Sequence, residues 1–138
     1  MLETTLAIIK PDAIERGFVG EIIKRIENKG FKIIQLKSMT FSRECAEKLY
    51  EEHKGKPFYE GLINFMADKQ VIVMILEREN AVKVLRRLVG STDPAEAAPG
   101  TIRGDIGLGL PNNSIHASDS VHSAKREIEL LFKSTDIK

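Results

Sequence analysis

The chain has one cysteine, Cys45, among 138 residues. No intrachain disulfide can staple it, which fits a reducing cytoplasm. An excess of charge of one sign is missing too. Against 21 basic side chains stand 20 acidic ones, for a net charge of +1. No global field draws the protein to nucleic acid or to a membrane surface, so any preference for a polyanion must come from a local cluster of Lys and Arg. No apolar run approaches the ~20 residues that cross a bilayer. "MLETTLAIIKPDA" has no basic segment ahead of its apolar one and runs directly into Pro11; it is not expected to be a signal peptide. The two common nucleotide cradles are absent. "GDIGLG" follows no clear strand and no "GK[ST]" accompanies it, so neither a Walker loop nor a Rossmann fingerprint is present. Repeats, low-complexity segments and domain linkers are lacking as well.

What remains suits one compact domain over residues 1–138, with enough apolar side chains for a core. "TLAIIK", Thr4 to Lys10, is a β-rich run stopped by Pro11, which holds Lys10 extended at a strand end. Val19, Ile22, Ile23 and Ile26 recur on one helical face, and Gly30 closes that helix. "FKIIQLKSMTF" reads as a second strand. Ser42 is placed to cap a helix carrying Ala46, Leu49 and Tyr50. After the loop "KGKPFYEG", a short helix is expected through Leu62, Phe65 and Met66. "QVIVMILE" is continuously apolar, which predicts a central strand. Asn80 is expected to cap a helix with Val82, Leu85 and Val89 inward. Gly90 to Asn113 is a long aperiodic stretch holding Pro94, Pro99 and Pro111; loops of this length in a small domain are functional or disordered. "SIHAS" makes a short last strand. Asp119 or Ser120 then caps a helix with Ala124, Ile128 and Leu131 on one face. The resulting βαββαβ-like order implies an antiparallel sheet covered by helices on one face.

The residues able to carry chemistry cluster late. Arg86, Arg87, Thr92 and Arg103 lie in or beside the long loop. A guanidinium presents a planar fork suited to phosphate oxygens, and threonine adds a hydroxyl donor. Each such arginine can equally be a solvated surface charge, but Arg103, in "PGTIRGD", sits among small residues that give it no packing role. His116, in "NNSIHASDS", has three readings. It can be a satisfied structural residue beside Ile115. It can join Asp119 and His122 in a metal site, although no second cluster completes one. Or it can be a nucleophile or acid/base group, because neutral imidazole leaves one nitrogen available for attack. Attack on phosphorus gives a phosphoramidate labile enough to pass the phosphoryl group onward. Glu127, on the last helix, can orient the ring or be a solvated glutamate.

"NNSIHASDS" resembles the active-site signature of nucleoside diphosphate kinases. "LAIIKPDAIERGFVGEIIKRIENKGFKI", "KPFYEGL" and "PGTIRGD" resemble that family in the same order and at similar spacing. The likeness runs from about Thr4 to Phe132. It implies a ferredoxin-like α+β fold: a βαββαβ core with a four-stranded antiparallel sheet, flanking helices and a long functional loop. It also implies transfer of the γ-phosphoryl of a nucleoside triphosphate to a nucleoside diphosphate in two half-reactions through a phosphohistidine, with Mg²⁺ on the nucleotide phosphates and no metal ligand from the protein. Carried over position by position, His116 is the nucleophile, and Lys10 contacts the ribose and the transferring phosphate. Asn113 holds the sugar hydroxyl; Arg86, Thr92 and Arg103 are phosphate ligands; Tyr50 stands beside the histidine. Phe58 stacks on the base in a slot lined by Leu62 and Leu110, and Ser118 and Glu127 support the imidazole. An apolar stacking slot implies low selectivity for the base.

Two departures from the family pattern stand out. Ala117 occupies a position where many members have glycine, a small-for-small change. The chain ends soon after "LLFKSTDIK", without the C-terminal extension of eukaryotic members, which leaves a hexamer or a tetramer built from dimers as the expected assembly. A non-catalytic nucleotide-binding module has no need for His116. A nucleic-acid role finds no basic-aromatic stripe to support it.

Overall fold

The computed structural model describes residues 2–110 and 112–132; Pro111 of the long loop and the tail after Phe132 lie outside the described residues. Four strands, β1 (Leu2–Ile9), β2 (Lys32–Thr40), β3 (Gln70–Glu79) and β4 (Ile115–Ala117), form one sheet in the order β2-β3-β1-β4. All three neighbouring pairs are antiparallel. The helices are α1 (Pro11–Glu15), α2 (Val19–Asn28), α3 (Arg43–Leu49), α4 (Tyr59–Met66), α5 (Ala81–Val89), α6 (Ile102–Ile106) and α7 (Val121–Leu131), with a 3₁₀ turn at Glu51–His53.

β3 is central, as its continuous apolarity predicts, and it pairs with β1 from Leu2↔Glu79 to Ile9↔Ile72. The expected cover on one face is corrected: helices lie on both. Leu6 and Ile8 of β1 point to a core with α3, α4 and α7, while Ala7 and Ile9 point to a second core with α1, α2, α5 and α6. The reason is visible in β1 and β3. A strand buried on both sides has no polar face to alternate with its apolar one. Ile8 and Ile9 are fully buried on opposite faces, and truncating either to alanine costs roughly 2–5 kcal/mol.

Local signals act largely as read. Lys10 is extended (φ −79°, ψ 162°) and Pro11 opens α1. Gly30, at φ +87°, closes α2. The Ser42 and Ser120 hydroxyls accept the Cys45 and Ser123 amides, capping α3 and α7. Asn80 is different. It holds the N-cap position just before α5 in a left-handed conformation (φ 54°), and its side chain makes no capping hydrogen bond. The Glu3 carboxylate, 79 residues away, accepts the Val82 amide at 3.2 Å instead. Val82 is half-buried rather than inward, and Ala81 fills the core position.

Candidate active site

His116 owes its direction to strand geometry. It pairs with Ile8, so its side chain shares the face of Ile8 and meets α3 and α7, while Ile115 and Ala117 enter the opposite core. There its Nε2 lies 2.9 Å from Glu127 Oε1, and the Ser118 hydroxyl donates to the same oxygen at 2.7 Å. The Tyr50 ring stands edge-on at 5.7 Å between centroids. Burial pushes the Glu127 carboxyl up, but the bond from His116, its charge, the Ser118 hydroxyl and Arg126 outweigh burial and hold it below the usual carboxylate range. An ionised Glu127 can only accept, so Nε2 carries a hydrogen. Nδ1 is the nitrogen left with a lone pair, and it has no hydrogen-bond partner among the described residues.

The long loop is folded around this imidazole by its own small residues. Thr101 caps α6 by accepting the Gly104 amide at 3.0 Å. A Cβ on Gly104 would lie 2.2 Å from the Ala98 carbonyl oxygen, so no other residue fits there. α6 thereby delivers Arg103, which is buried. Its Nη1 donates to the Gly90 carbonyl at 3.0 Å and its Nη2 to the Ile115 carbonyl at 2.7 Å. Gly90 ends α5 at φ +92°, a conformation open to glycine. Arg86, in the last turn of α5, donates to the Ala117 carbonyl at 3.3 Å.

A third tie runs through Lys10. Its backbone amide donates to the Ser114 carbonyl at 2.9 Å, and its ammonium donates to Asn113 Oδ1 at 2.7 Å. The Asn113 side-chain amide donates in turn to the Thr92 carbonyl at 2.8 Å. Ser114 turns the chain at φ 76° between Asn113 and β4, an uncommon conformation for a non-glycine residue.

These groups wall a cavity of about 620 Å³ lined by Lys10, Tyr50, Phe58, Leu62, Arg86, Thr92, Arg103, Leu110, Asn113, His116 and Glu127. Every expected site residue is present except Ser118, which reaches the site through Glu127. Two more open hollows of about 700 and 720 Å³ contain no histidine, and the second shares Arg86 and Asp119 with this cavity. One end of the cavity is cationic. Burial, then the Arg103 charge, brings Lys10 down to about 7 against the pull of Asp12. Burial, then Arg86, lowers Arg103 to about 10. Buried cations crowded so closely that each lowers its neighbour favour an anion at this end. The Tyr50 hydroxyl and Arg103 Nε are buried without a hydrogen-bond partner among the described residues, and such groups call for a ligand or water. The other end is apolar. Phe58 is 51% exposed and Leu110 60% exposed, so both offer open faces.

His53 and Arg126 also line the cavity, and sequence reasoning passed over both. The His53 ring lies 5.2 Å from Phe58 and 6.3 Å from Tyr50. Its Nδ1 is 3.4 Å from the Lys56 ammonium. Burial, then Lys56, lowers its pKa. The apolar slot therefore has a polar ring beside it. Its only sequence signal was its nearness to "KPFYEGL". His122 is exposed on α7, and among the described residues no three His, Cys, Asp or Glu side chains are grouped to hold a metal ion.

Comparison with known proteins bears on the family and the fold. The profile of the family described as nucleoside diphosphate kinase matches residues 3–137. The nucleoside diphosphate kinase of Methanocaldococcus jannaschii is 58% identical over 137 residues, covering 99% of this chain and 98% of its own. Among solved structures, the halophilic nucleoside diphosphate kinase of Halobacterium salinarum in complex with CDP superposes with a TM-score of 0.96 at 41% identity, covering 100% of this chain and 92% of its own. The Borrelia burgdorferi enzyme, a transition-state mimic with bound vanadate and ADP, gives 0.93 at 32% identity, covering 99% and 90%. By the family profile, the identity to these relatives and the shared fold, the chain belongs to the nucleoside diphosphate kinase family.

Proposed function

We propose that this chain, working as a single domain with one site, moves the γ-phosphoryl group of a nucleoside triphosphate to a nucleoside diphosphate through a phosphohistidine on His116. The observation that carries the reading is the 2.9 Å contact of Nε2 with Glu127, which leaves Nδ1 as the lone pair of a cavity-lining imidazole. In the first half-reaction the Nδ1 pair forms an N–P bond. The bond from phosphorus to the β-bridging oxygen breaks, and its electrons leave with the diphosphate. Nε2 keeps its hydrogen, and Glu127 balances the positive charge on the ring. In the second half-reaction a terminal oxygen of another diphosphate attacks the phosphorus and the N–P pair returns to Nδ1. Both nucleotides use one cavity, so the first product leaves before the second substrate enters.

Such transfer asks mainly for positioning and for charge against the equatorial oxygens. Lys10, Arg86 and Arg103 supply that charge and Thr92 a hydroxyl. Mg²⁺ enters as part of the Mg-nucleotide substrate, held by the phosphates. Asn113, fixed by Lys10 and Thr92, faces the sugar, and the base stacks on Phe58 between Leu62 and Leu110. The cations sit at the phosphate end, and stacking tolerates any base. The exposed Ile34 and Leu36 on the outer strand β2 support a homo-oligomer built from dimers, to be checked by light scattering. The lone Cys45 supports a cytoplasmic setting; among the described residues no helix is long and apolar enough to cross a membrane. The deciding experiment is incubation with γ-labelled triphosphate. An acid-labile, base-stable label should remain on the protein and vanish in His116→Ala, and a label that survives in that variant would place the intermediate elsewhere.

A further inference from the structure

The residue before Glu127 has no role in the transfer as described. The Arg126 guanidinium reaches from α7 to the C-terminus of α3. Nη1 donates to the Lys48 carbonyl at 3.2 Å and Nη2 to the Leu49 carbonyl at 3.1 Å. Those carbonyls belong to the last helical turn, beyond the reach of intrahelical donors, where a cation is also favoured by the helix dipole. The next residue is Tyr50, whose ring stands edge-on to His116. On its other side Nη2 lies 3.9 Å from Glu127 Oε2. Oε1 of that carboxylate is already shared by His116 and Ser118. Two further acids from the 3₁₀ turn approach the same guanidinium, Glu51 at 3.9 Å and Glu52 at 3.7 Å.

We infer that Arg126 is a positioning residue for the phosphoryl transfer: one planar fork fixes both neighbours of the His116 imidazole, the carboxylate behind it and the tyrosine beside it. The inference rests on His116 as the nucleophile. Lysine cannot reproduce it fully, because a point charge cannot bond two successive carbonyls in one plane. Partners of this kind set the orientation and the tautomer of a working imidazole. The groups facing Glu127 are His116 and Ser118 at β4, Tyr50 after α3, and Arg126 itself. Among them Arg126 is the fixed cation. Without it the Glu127 carboxyl takes up a proton at higher pH, loses its grip on Nε2, and frees the ring to rotate or change tautomer.

The test is single-turnover phosphohistidine formation across pH 5–9 with Mg-ATP, using wild type, Arg126→Met and Arg126→Lys. We expect Arg126→Met to slow formation about tenfold or more at pH 7 and to move the acid limb of the rate profile upward by about one pH unit. The nucleotide KM should change less than twofold, because this guanidinium is spent on protein groups. Arg126→Lys should return the acid limb toward wild type while recovering only part of the rate. If Arg126→Met fails to fold, Arg126→Lys alone must show a reduced rate with an unchanged KM. A uniform rate loss at every pH, or an effect confined to KM, overturns the positioning role. Wild type that forms no label overturns the His116 reading beneath it, whereas label without any Arg126 effect overturns this inference alone.

Discussion

Lys10 gives the most quantitative prediction. Burial and Arg103 bring its ammonium down to about 7 in the free protein. A bound triphosphate adds several negative charges at the cationic end of the cavity and favours the charged form. Binding should therefore draw a proton from solution. At pH 8 a group with a pKa of about 7 is about nine-tenths neutral, so uptake should approach 0.9 proton; at pH 6 it should fall to about 0.1. The other groups in the cavity contribute little at pH 8. Arg103, at about 10, stays charged; Tyr50, pushed up by burial, stays protonated; His53, pushed down, stays neutral. The sign follows from linkage: the complex holds more protons than the free protein, so affinity falls as pH rises above about 7, by up to tenfold per unit. The assay is titration calorimetry of Mg-ATP into His116→Ala, which cannot form the phosphoenzyme. The apparent enthalpy is plotted against buffer ionisation enthalpy, and the slope gives the protons taken up. Lys10→Met should abolish the slope. Uptake below about 0.3 proton at pH 8, or an equal slope in Lys10→Met, would refute the reasoning.

His116→Ala should lose transfer by three orders of magnitude or more while keeping its circular dichroism and its nucleotide affinity; turnover at a tenth of wild type would rule out the phosphohistidine route. Arg103→Ala should lower turnover more than it raises KM. Because it also strands two carbonyls, it should cost on the order of 2–3 kcal/mol in stability, read from urea unfolding. Phe58→Ala should weaken all four common diphosphates by about 1–3 kcal/mol each, measured as catalytic efficiency. A loss confined to one base would mean that His53 or another group reads base edges.

The fold was legible where the signal was long. Six consecutive apolar residues in "QVIVMILE" announced β3, and the spacing of Val19, Ile22, Ile23 and Ile26 announced α2. α1 and α6 have five residues each, less than two turns, so no periodicity could reveal them. Cover on both faces was written in the unbroken "LAII" of β1, which the βαββαβ pattern outweighed. Glu3 in place of Asn80 as the α5 cap is a contact between chain segments 79 residues apart, and no local rule sees it. The same holds in the site. Lys10 and Asn113 meet across 103 residues, and the resemblance to a family, not periodicity, brought them together. Arg126 had no signal, since its work is done on the backbone of another helix.

The hydrogen bonds of the arginines explain why a three-residue edge strand can hold a nucleophile still. Among the described residues β4 pairs with β1 alone. On that side Lys10 donates to the Ser114 carbonyl and the Ser118 amide to the Leu6 carbonyl. Alternation then turns the Ile115 and Ala117 carbonyls outward, to an edge where no strand follows. Arg103 and Arg86 pair with those two carbonyls. They serve the strand that carries His116 and, at the same time, put their charge at the cavity. An anion in the cavity therefore draws on guanidinium groups already fixed to the backbone of the nucleophile, so no side-chain search is needed when phosphate arrives. The same economy makes the two roles inseparable by truncation. Removing either arginine loosens the strand and empties the phosphate end together, so stability and turnover fall in parallel.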